Sequence, residues 1–480
     1  MRKRGGLALL FFVPFLILSA CGGSPIDDEQ LVTQPLTVSN KLTQEIPVQG
    51  VQMVALTNQQ GLRQTVETGA RWVQSSAVNW SKIEPVEGQR KWELLENKEK
   101  EWLDATNLGL RLIITVHYVP DWAQAIPGKS CGPVHPEKVL AFARFMYDLV
   151  DRYSRYPYNV TYWQIWNEPD ASYKLVDDDS PFGCWGEFQD NFYQDGQYYG
   201  DVFTQVYTEI KRANPDAQVL IGGLMLDCSP LRPGELVESV VDSDECITSE
   251  FLEGILTVTG GDHFDGISFH AYDYYFREPG KYGNNNWMTS WSLGETAGKL
   301  KAKFIRALLD EYEITGKILV NTETALLCGR TGDEDFCLTE DYSLTKSAYL
   351  IISNVNALAD GLTANLWYSL RGWRGSQLVD DSLIPNNTYE ALKFNTEIIG
   401  YAEYVARLNL QEGLIGHQFR TPHGEVQVIW AVTEQSIQYT PNDVAPFLVY
   451  DMFGNVILAS PLTISYTPIY IIWPENISSE

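Results

Sequence analysis

The sequence is short of positive charge. Its 480 residues hold 35 Lys and Arg against 62 Asp and Glu, a formal net charge of −27. That balance argues against nucleic acid and anionic membrane surfaces as partners, since both reward cationic patches. An acidic surface that aids solubility is its simplest use. Closely spaced metal ligands are also missing. No Cys-x-x-Cys or His-x-x-x-His pair occurs, so no zinc site is expected. No glycine-rich phosphate loop follows any strand-like segment, which removes nucleotide-binding open sheets and leaves no cofactor to expect. Beyond Ala20, no apolar run is long enough to span a bilayer. What the chain has in quantity is flat aromatic surface. Aromatic residues make up 12%, with 14 Trp and 26 Tyr, and such faces suit rings and sugars.

At the N-terminus, Arg2, Lys3 and Arg4 precede an apolar run from Leu7 to Ile17 and then Leu18-Ser19-Ala20-Cys21. This is the order of a secretory signal: a basic segment, an apolar segment and small residues at the cleavage point. The Leu-Ser-Ala-Cys ending resembles a bacterial lipobox. The resemblance implies a signal over 1–20, lipidation at Cys21, and an exported chain anchored to the cell envelope through that lipid. Residues 21–46 are polar, with Asp27-Asp28-Glu29, and read as a flexible tether. Six further cysteines, an even number in an exported chain, suggest disulfides. Spacing favours Cys328–Cys337 and Cys228–Cys246 as local loops and leaves Cys131 with Cys184.

From residue 47 the pattern alternates. Short apolar segments fall at Val51–Leu56, Ala70–Val78, Leu110–Val116, Val160–Trp166, Ala217–Gly222, Phe264–Phe269, Lys317–Val320 and Gly361–Trp367, each followed by helical periodicity. Eight strand–helix units predict an α/β chain with a closed (β/α)8 TIM barrel over 47–398. Past residue 399 the period becomes two. Glu425–Val432, Pro446–Asp451, Val456–Ala459 and Tyr466–Trp473 read as strands of a small all-β, sandwich-like domain over 399–480 that packs on the barrel.

The fourth segment, Thr161-Tyr162-Trp163-Gln164-Ile165-Trp166-Asn167-Glu168-Pro169, ends in a carboxylate. Proline removes a ladder donor and biases the residue before it towards extended backbone, so the strand should stop at Glu168. Glu323 ends the seventh segment in the same manner. Buried acids are costly unless they pair or work, and two of them facing each other over a barrel mouth meet the requirement for cleaving a glycosidic bond. The competing acids have local explanations: Glu295 precedes a helix, Glu84 lies near a turn and Glu278 lies in a loop.

Trp166-Asn167-Glu168-Pro169 resembles the signature of the clan A glycoside hydrolases, retaining (β/α)8-barrel enzymes, and in particular their family-39-like and family-5-like members. The resemblance implies that Glu168 is the acid/base, Glu323 the nucleophile and Asn167 the ligand of a sugar 2-hydroxyl. It places His270 and Tyr272, in Ser268-Phe269-His270-Ala271-Tyr272, beside the nucleophile, and makes Trp367 the aromatic floor of a sugar subsite. Trp80-Ser81-Lys82-Ile83-Glu84-Pro85 and Tyr118-Val119-Pro120-Asp121-Trp122-Ala123 are similar to clan loops, which adds Trp80, Trp122 and the adjacent His117 to the substrate-binding set. The expected partner is a β-linked oligo- or polysaccharide. One departure stands out: Gln74 occupies the place where many clan members carry an arginine beside the nucleophile. That admits an alternative, a carbohydrate-binding lipoprotein on the same barrel with weak or no turnover. Aromatics in 272–291 (Tyr272, Tyr274, Tyr275, Phe276, Tyr282, Trp287, Trp291), with Trp185, Phe188 and Tyr193, are expected partly to line a cleft and partly to pack its loops.

Overall fold

A computed structural model describes residues 46–174, 176–177, 180, 182–189, 192–228, 247–422, 424–441 and 447–473. The expected signal, Cys21, almost all of the tether, and Cys246 of the expected Cys228–Cys246 pair lie outside the described residues. Eight parallel strands close into a barrel: β1 (Gln49–Gln52), β2 (Trp72–Gln74), β3 (Arg111–His117), β4 (Tyr162–Asn167), β5 (Gln218–Leu224), β6 (Gly266–Tyr275), β7 (Ile318–Leu327) and β8 (Ala364–Trp367). Each strand pairs with the next, and β8 returns to β1.

A principal helix follows each strand: α1 (Leu62–Glu67), α2 (Glu96–Asn107), α3 (Val139–Tyr153), α4 (Gly196–Ala213), α5 (Ile247–Thr259), α6 (Ala297–Glu311), α7 (Glu340–Ala359) and α8 (Asn387–Ile399), with one further turn of helix, Trp80–Ile83, ahead of α2. Their apolar stripes explain the packing. In α3, Phe142, Phe145, Met146, Leu149, Val150 and Tyr153 recur at helical spacing and are buried against the strands. Starts are set by side-chain caps: Thr339 accepts from Tyr342 N at α7, and Asn386 accepts from Thr388 N and Tyr389 N at α8.

Alternation along the strands sorts residues into two layers. Trp72, Ile113, Leu220, Val320, Ala364 and Leu366 point inward and fill the barrel interior. The residues between them, such as Val73, Ile114, Val219 and Leu319, join the larger core under the helices. Two steps further along the inward row the side chains turn polar, at Gln74 and Thr115, and Tyr368 continues the inward row of β8. The barrel therefore has an apolar plug and a polar mouth.

Strands β6 and β7 run well past their expected ends, to Tyr275 and Leu327. Their pairing slips once: Phe269 faces Asn321, but His270 faces Glu323. This bulge at Thr322 re-aims Glu323 towards the mouth, a common use of bulges next to functional sites.

After the barrel comes a five-stranded antiparallel sheet built from β9 (Glu403–Arg407), β10 (Leu414–Thr421), β11 (Gly424–Ala431), β13 (Leu448–Tyr450) and β15 (Ile469–Trp473), in the order β9-β10-β11-β15-β13. A separate pair joins β12 (Ile437–Tyr439) to β14 (Leu462–Ile464). The sheet is two-faced. Val426, Val428, Trp430, Tyr470 and Ile472 belong to the barrel's core, whereas Ile429, Ala431, Ile469 and Ile471 form the small domain's own. Asn395 of α8 donates to the Tyr470 hydroxyl at 2.9 Å across this junction. Two details differ from expectation. Val456–Ala459 forms no strand, only a single bridge from Val456 to Tyr450, and β9, β10, β12 and β14 were not foreseen.

Candidate active site

Chain geometry at the end of β4 delivers Glu168 to the mouth. The backbone does not stay extended before Pro169 as expected, for Trp166 and Glu168 both take positive φ, 77° and 47°. Such conformations are costly for bulky residues and are held by their surroundings. Here Glu168 N donates to Gly223 O at 2.9 Å, and Trp166 Nε1 donates to Cys131 O at 3.1 Å. The result turns the Glu168 carboxylate towards β6, where His270 Nδ1 lies 2.7 Å from its Oε1. Gly223 is needed for this contact, because a Cβ there would sit 2.3 Å from His270 Nε2.

Glu323 is reached from the other side. Gln52 Nε2 donates to its Oε1 at 2.9 Å, and the Tyr272 hydroxyl donates to its Oε2. Gln52 is fixed in turn, since its Nε2 also donates to Gln74 Oε1 at 2.9 Å while Gln74 Nε2 donates to Thr115 Oγ1 at 2.5 Å. Three adjacent strands thus hand a neutral amide to the carboxylate. Burial pushes the Glu323 pKa up and Glu168 adds to the rise, against the lowering influence of His270, Tyr272 and Gln52. Burial lowers the His270 pKa, but the charges of Glu323 and Glu168 outweigh it and leave the imidazole above its ordinary value. One oxygen of each carboxylate and one ring nitrogen of His270 lie within 4.8 Å of one another. That spacing would also suit a metal ion, but each of these atoms already has a hydrogen-bonding or charged neighbour inside the cluster.

The cluster opens into a cleft of about 960 Å³ bounded by β1–β4 and their loops. Glu168, Glu323, Asn167 and His117 of the expected set line it, together with Gln52, Gln74 and Tyr368. His117 is buried, stacked 4.0 Å from Tyr118, and burial pushes its pKa down to about 3, so it faces the cleft as a neutral ring. His270 and Tyr272 stand behind the carboxylates. They differ from expectation in that His270 is nearer Glu168 than Glu323, the second distance being 3.5 Å.

Three expected residues are elsewhere. Trp367 is only 2% exposed, donates from Nε1 to Ser376 O at 2.8 Å and packs under the helices. It points outward because side chains alternate, so its neighbour Tyr368 takes the cleft position. Trp80 is fully buried, and its Nε1 donates to Glu84 Oε2 at 2.9 Å. Trp122 donates to Glu84 O at 2.8 Å, edge-on to Trp80. Both tryptophans hold the buried Glu84, which also meets Arg90 Nε at 3.3 Å, and neither lines the cleft. Of the loop aromatics, Trp185, Tyr275, Tyr282 and Trp287 are buried as packing, whereas Tyr274 and Phe276 are exposed.

Residues that sequence reasoning missed include Gln52, Tyr368, Asp170 and Lys301. Asp170 accepts from Met225 N and Leu226 N at 2.9 and 2.7 Å, and burial pushes its carboxyl up to about 7. Lys301, on α6, donates to Met225 O and His270 O at 2.7 Å each; burial lowers its pKa to about 8. These two tie the loop after β5 and the His270 backbone into one layer beneath the cluster. A charged side chain inside an apolar helical stripe was the only available signal for Lys301. Disulfides stiffen the rim: Cys131–Cys184 joins the loops after β3 and β4, and Cys328–Cys337 closes the loop after β7.

No family model matches the sequence, and no curated protein is similar enough to count as a relative. Solved structures do resemble the fold. A family 39 glycoside hydrolase from Bacteroides cellulosilyticus WH2 aligns with TM-score 0.64 at 16% identity, over 90% of this chain and 82% of its own. A GH30 endoxylanase from Clostridium papyrosolvens C71 aligns with TM-score 0.58 at 11% identity, over 90% and 97%. A monomeric beta-xylosidase from Caulobacter crescentus CB15 gives TM-score 0.56 at 12% identity, over 89% and 96%. At these identities the likeness establishes the fold, a (β/α)8 barrel with a small all-β domain.

Proposed function

We propose that the chain is a retaining glycoside hydrolase acting on a β-linked oligo- or polysaccharide. The carrying observation is the approach of Glu168 and Glu323 to within 4.8 Å, nearest atoms counted, at the end of an open cleft. Retaining enzymes hold their two carboxyl groups about 5–5.5 Å apart, and inverting ones roughly 6.5–9.5 Å apart to admit a water. Resemblance to glycoside hydrolases of the same fold supports the reading.

In the first step a Glu323 oxygen bonds to the anomeric carbon as the glycosidic C–O bond breaks, and the Glu168 proton passes to the departing oxygen. In the second, Glu168 takes a proton from water, whose oxygen displaces Glu323 and releases the sugar with its original configuration. Gln52 and Tyr272 hold the attacking carboxylate still while His270 orients Glu168. Asn167, at the tip of β4, is placed to meet the sugar at the cleaved position, and Tyr368 offers the ring face first assigned to Trp367.

The alternative, a binding protein without turnover, rests on Gln74 standing in for an arginine. Gln52 weakens it, because a donor to Glu323 is present after all. Proton NMR of the first-formed anomer tests the mechanism: the retained anomer is expected, and the inverted one would exclude double displacement. Azide added to Glu168→Ala should yield a glycosyl azide of retained configuration, and added to Glu323→Ala one of inverted configuration. Export and lipidation at Cys21 are part of the same proposal. The Cys131–Cys184 and Cys328–Cys337 disulfides support an oxidising compartment, and mass spectrometry of the mature N-terminus is the check.

A further inference from the structure

A second cavity, of about 380 Å³, opens on the same face of the barrel, beyond Glu323 and away from the main cleft. Tyr274, Arg277, Arg330, Glu334, Phe336 and Arg374 line it. Tyr274 is near the end of β6, Arg330 lies just past β7, and Arg374 is in the loop after β8, so the ends of three adjacent strands build it.

Its charge is out of character for the chain. Elsewhere among the described residues half of the arginines pair with a carboxylate, as in Arg152–Glu99 at 3.2 Å, Arg371–Asp381 at 3.1 Å and Arg420–Glu403 at 2.7 Å, and no other cavity gathers three that do not. The three arginines of the cavity make no ion pair with a carboxylate among the described residues. Glu334 is the only acid in the lining, and its oxygens are turned into backbone, accepting Arg330 N at 2.7 Å and Gly332 N at 2.9 Å.

Rings keep the guanidinium groups in place. Arg277 lies 4.2 Å above Phe336, and Arg374 sits between Tyr274 and Trp373 at 5.4 and 5.3 Å. Arg374 also donates to Gly329 O, while its Nε is buried without a partner. The Cys328–Cys337 bridge closes the loop that carries Arg330. A chain of rings leads from the carboxylates to this cavity: Tyr272, which donates to Glu323, meets Trp373 edge-on at 6.2 Å, and Trp373 is 48% exposed.

We propose that this cavity is a subsite for a negatively charged group, carboxylate or sulfate, on an acidic glycan that lies across the mouth between it and the main cleft. It rests on the glycosidase reading above. A guanidinium fork matches either oxyanion in two-point fashion. The exposed Trp373 face between the cavity and Glu323 favours a sugar ring over a free inorganic ion.

Titration calorimetry on the full chain carrying Glu323→Gln compares three β-linked probes of equal length: neutral xylohexaose, hexamannuronate and a sulfated β-galactan hexamer. At least one acidic hexamer should bind about tenfold tighter than the neutral one, a gap that narrows with added salt. Arg277→Gln with Arg374→Gln should bring that ratio to near one, and the two acidic arms tell uronate from sulfate. Should Arg374→Gln lower the melting temperature, the exposed pair Arg277→Gln and Arg330→Gln must reduce the ratio instead. Acidic hexamers that bind no tighter than neutral ones, or a preference indifferent to the arginines, would overturn the inference. Turnover of neutral aryl glycosides by the unsubstituted chain is scored separately. Turnover without charge preference removes the subsite alone, whereas arginine-dependent preference without any turnover removes the glycosidase reading.

Discussion

Glu168 and Glu323 face each other across one mouth, yet Glu168 leans on an imidazole that can itself ionise, whereas Glu323 is held chiefly by an amide and a phenol that stay neutral. The first arrangement suits a group that must gain and lose a proton within each cycle. The second suits one that must stay in a single protonation state and a single place. Neutral donors favour a carboxylate less than an arginine would, which is why burial dominates and the Glu323 pKa is raised.

Breaking the comparison at its strongest point means Glu323→Ala. Loss of the nucleophile should cost on the order of 10⁴-fold or more in kcat, as for other residues that form the covalent intermediate. A Glu323→Ala protein with ordinary turnover would place the nucleophile elsewhere. Next comes Glu168→Ala, with a loss of about 10²–10⁴-fold in kcat/KM, which reports the first step alone, on alkyl glycosides. Far less should be lost on dinitrophenyl glycosides, whose leaving group needs no proton. Equal losses on both would remove Glu168 from the proton-donor role.

Gln52→Ala should act through Glu323, lowering kcat about 10–100-fold with a smaller change in KM. The sign of its pH effect follows from the bond it removes. The amide favours the charged carboxylate, so its loss raises the Glu323 pKa further and moves the acid limb of kcat/KM to higher pH. A limb that stays put would reduce Gln52 to a packing residue. Gln74→Ala should do the same more weakly, and the double variant should fall short of the sum, since the two amides act in series.

The smallest effect concerns stability. Burial is the main cause that pushes the Asp170 carboxyl in the folded state up to about 7, from an ordinary 3.8. A raised pKa means that the folded state holds the proton longer than the unfolded one. Its contribution is therefore fully present below about pH 4 and is lost as pH rises through about 7, at up to about 1.4 kcal/mol per pH unit. Asp170→Asn should flatten the melting temperature over that window, and an unchanged slope would show that Asp170 titrates as in the unfolded chain.

The eight-unit rhythm and both carboxylates were legible because the barrel's buried strands are continuous apolar runs and Pro169 punctuates β4. Other features were hidden for physical reasons. Strands β6 and β7 seemed to stop early because His270, Asp273, Asn321, Thr322, Glu323 and Thr324 interrupt the apolar run; their burial is tolerable only through partners distant in sequence. Trp367 and Tyr368 are both aromatic, so only the strand's parity decides which one faces the cleft. Strand β9 is mostly exposed and has no alternation to detect. Gln52 carries no local mark at all, since its role depends on Gln74 of β2 and Glu323 of β7 meeting it at the barrel mouth.

The two-faced sheet after the barrel bears on how the protein comes off the ribosome. Strand β15 sits between β11 and β13 and gives Tyr470 and Ile472 to the barrel's own core. Until Trp473 has been synthesised, Phe394 and its neighbours on α8 lack their cover. A nascent chain halted after α8 would thus present an apolar flank to chaperones and proteases. Truncation before β15 is expected to yield a degraded fragment, not a smaller working barrel.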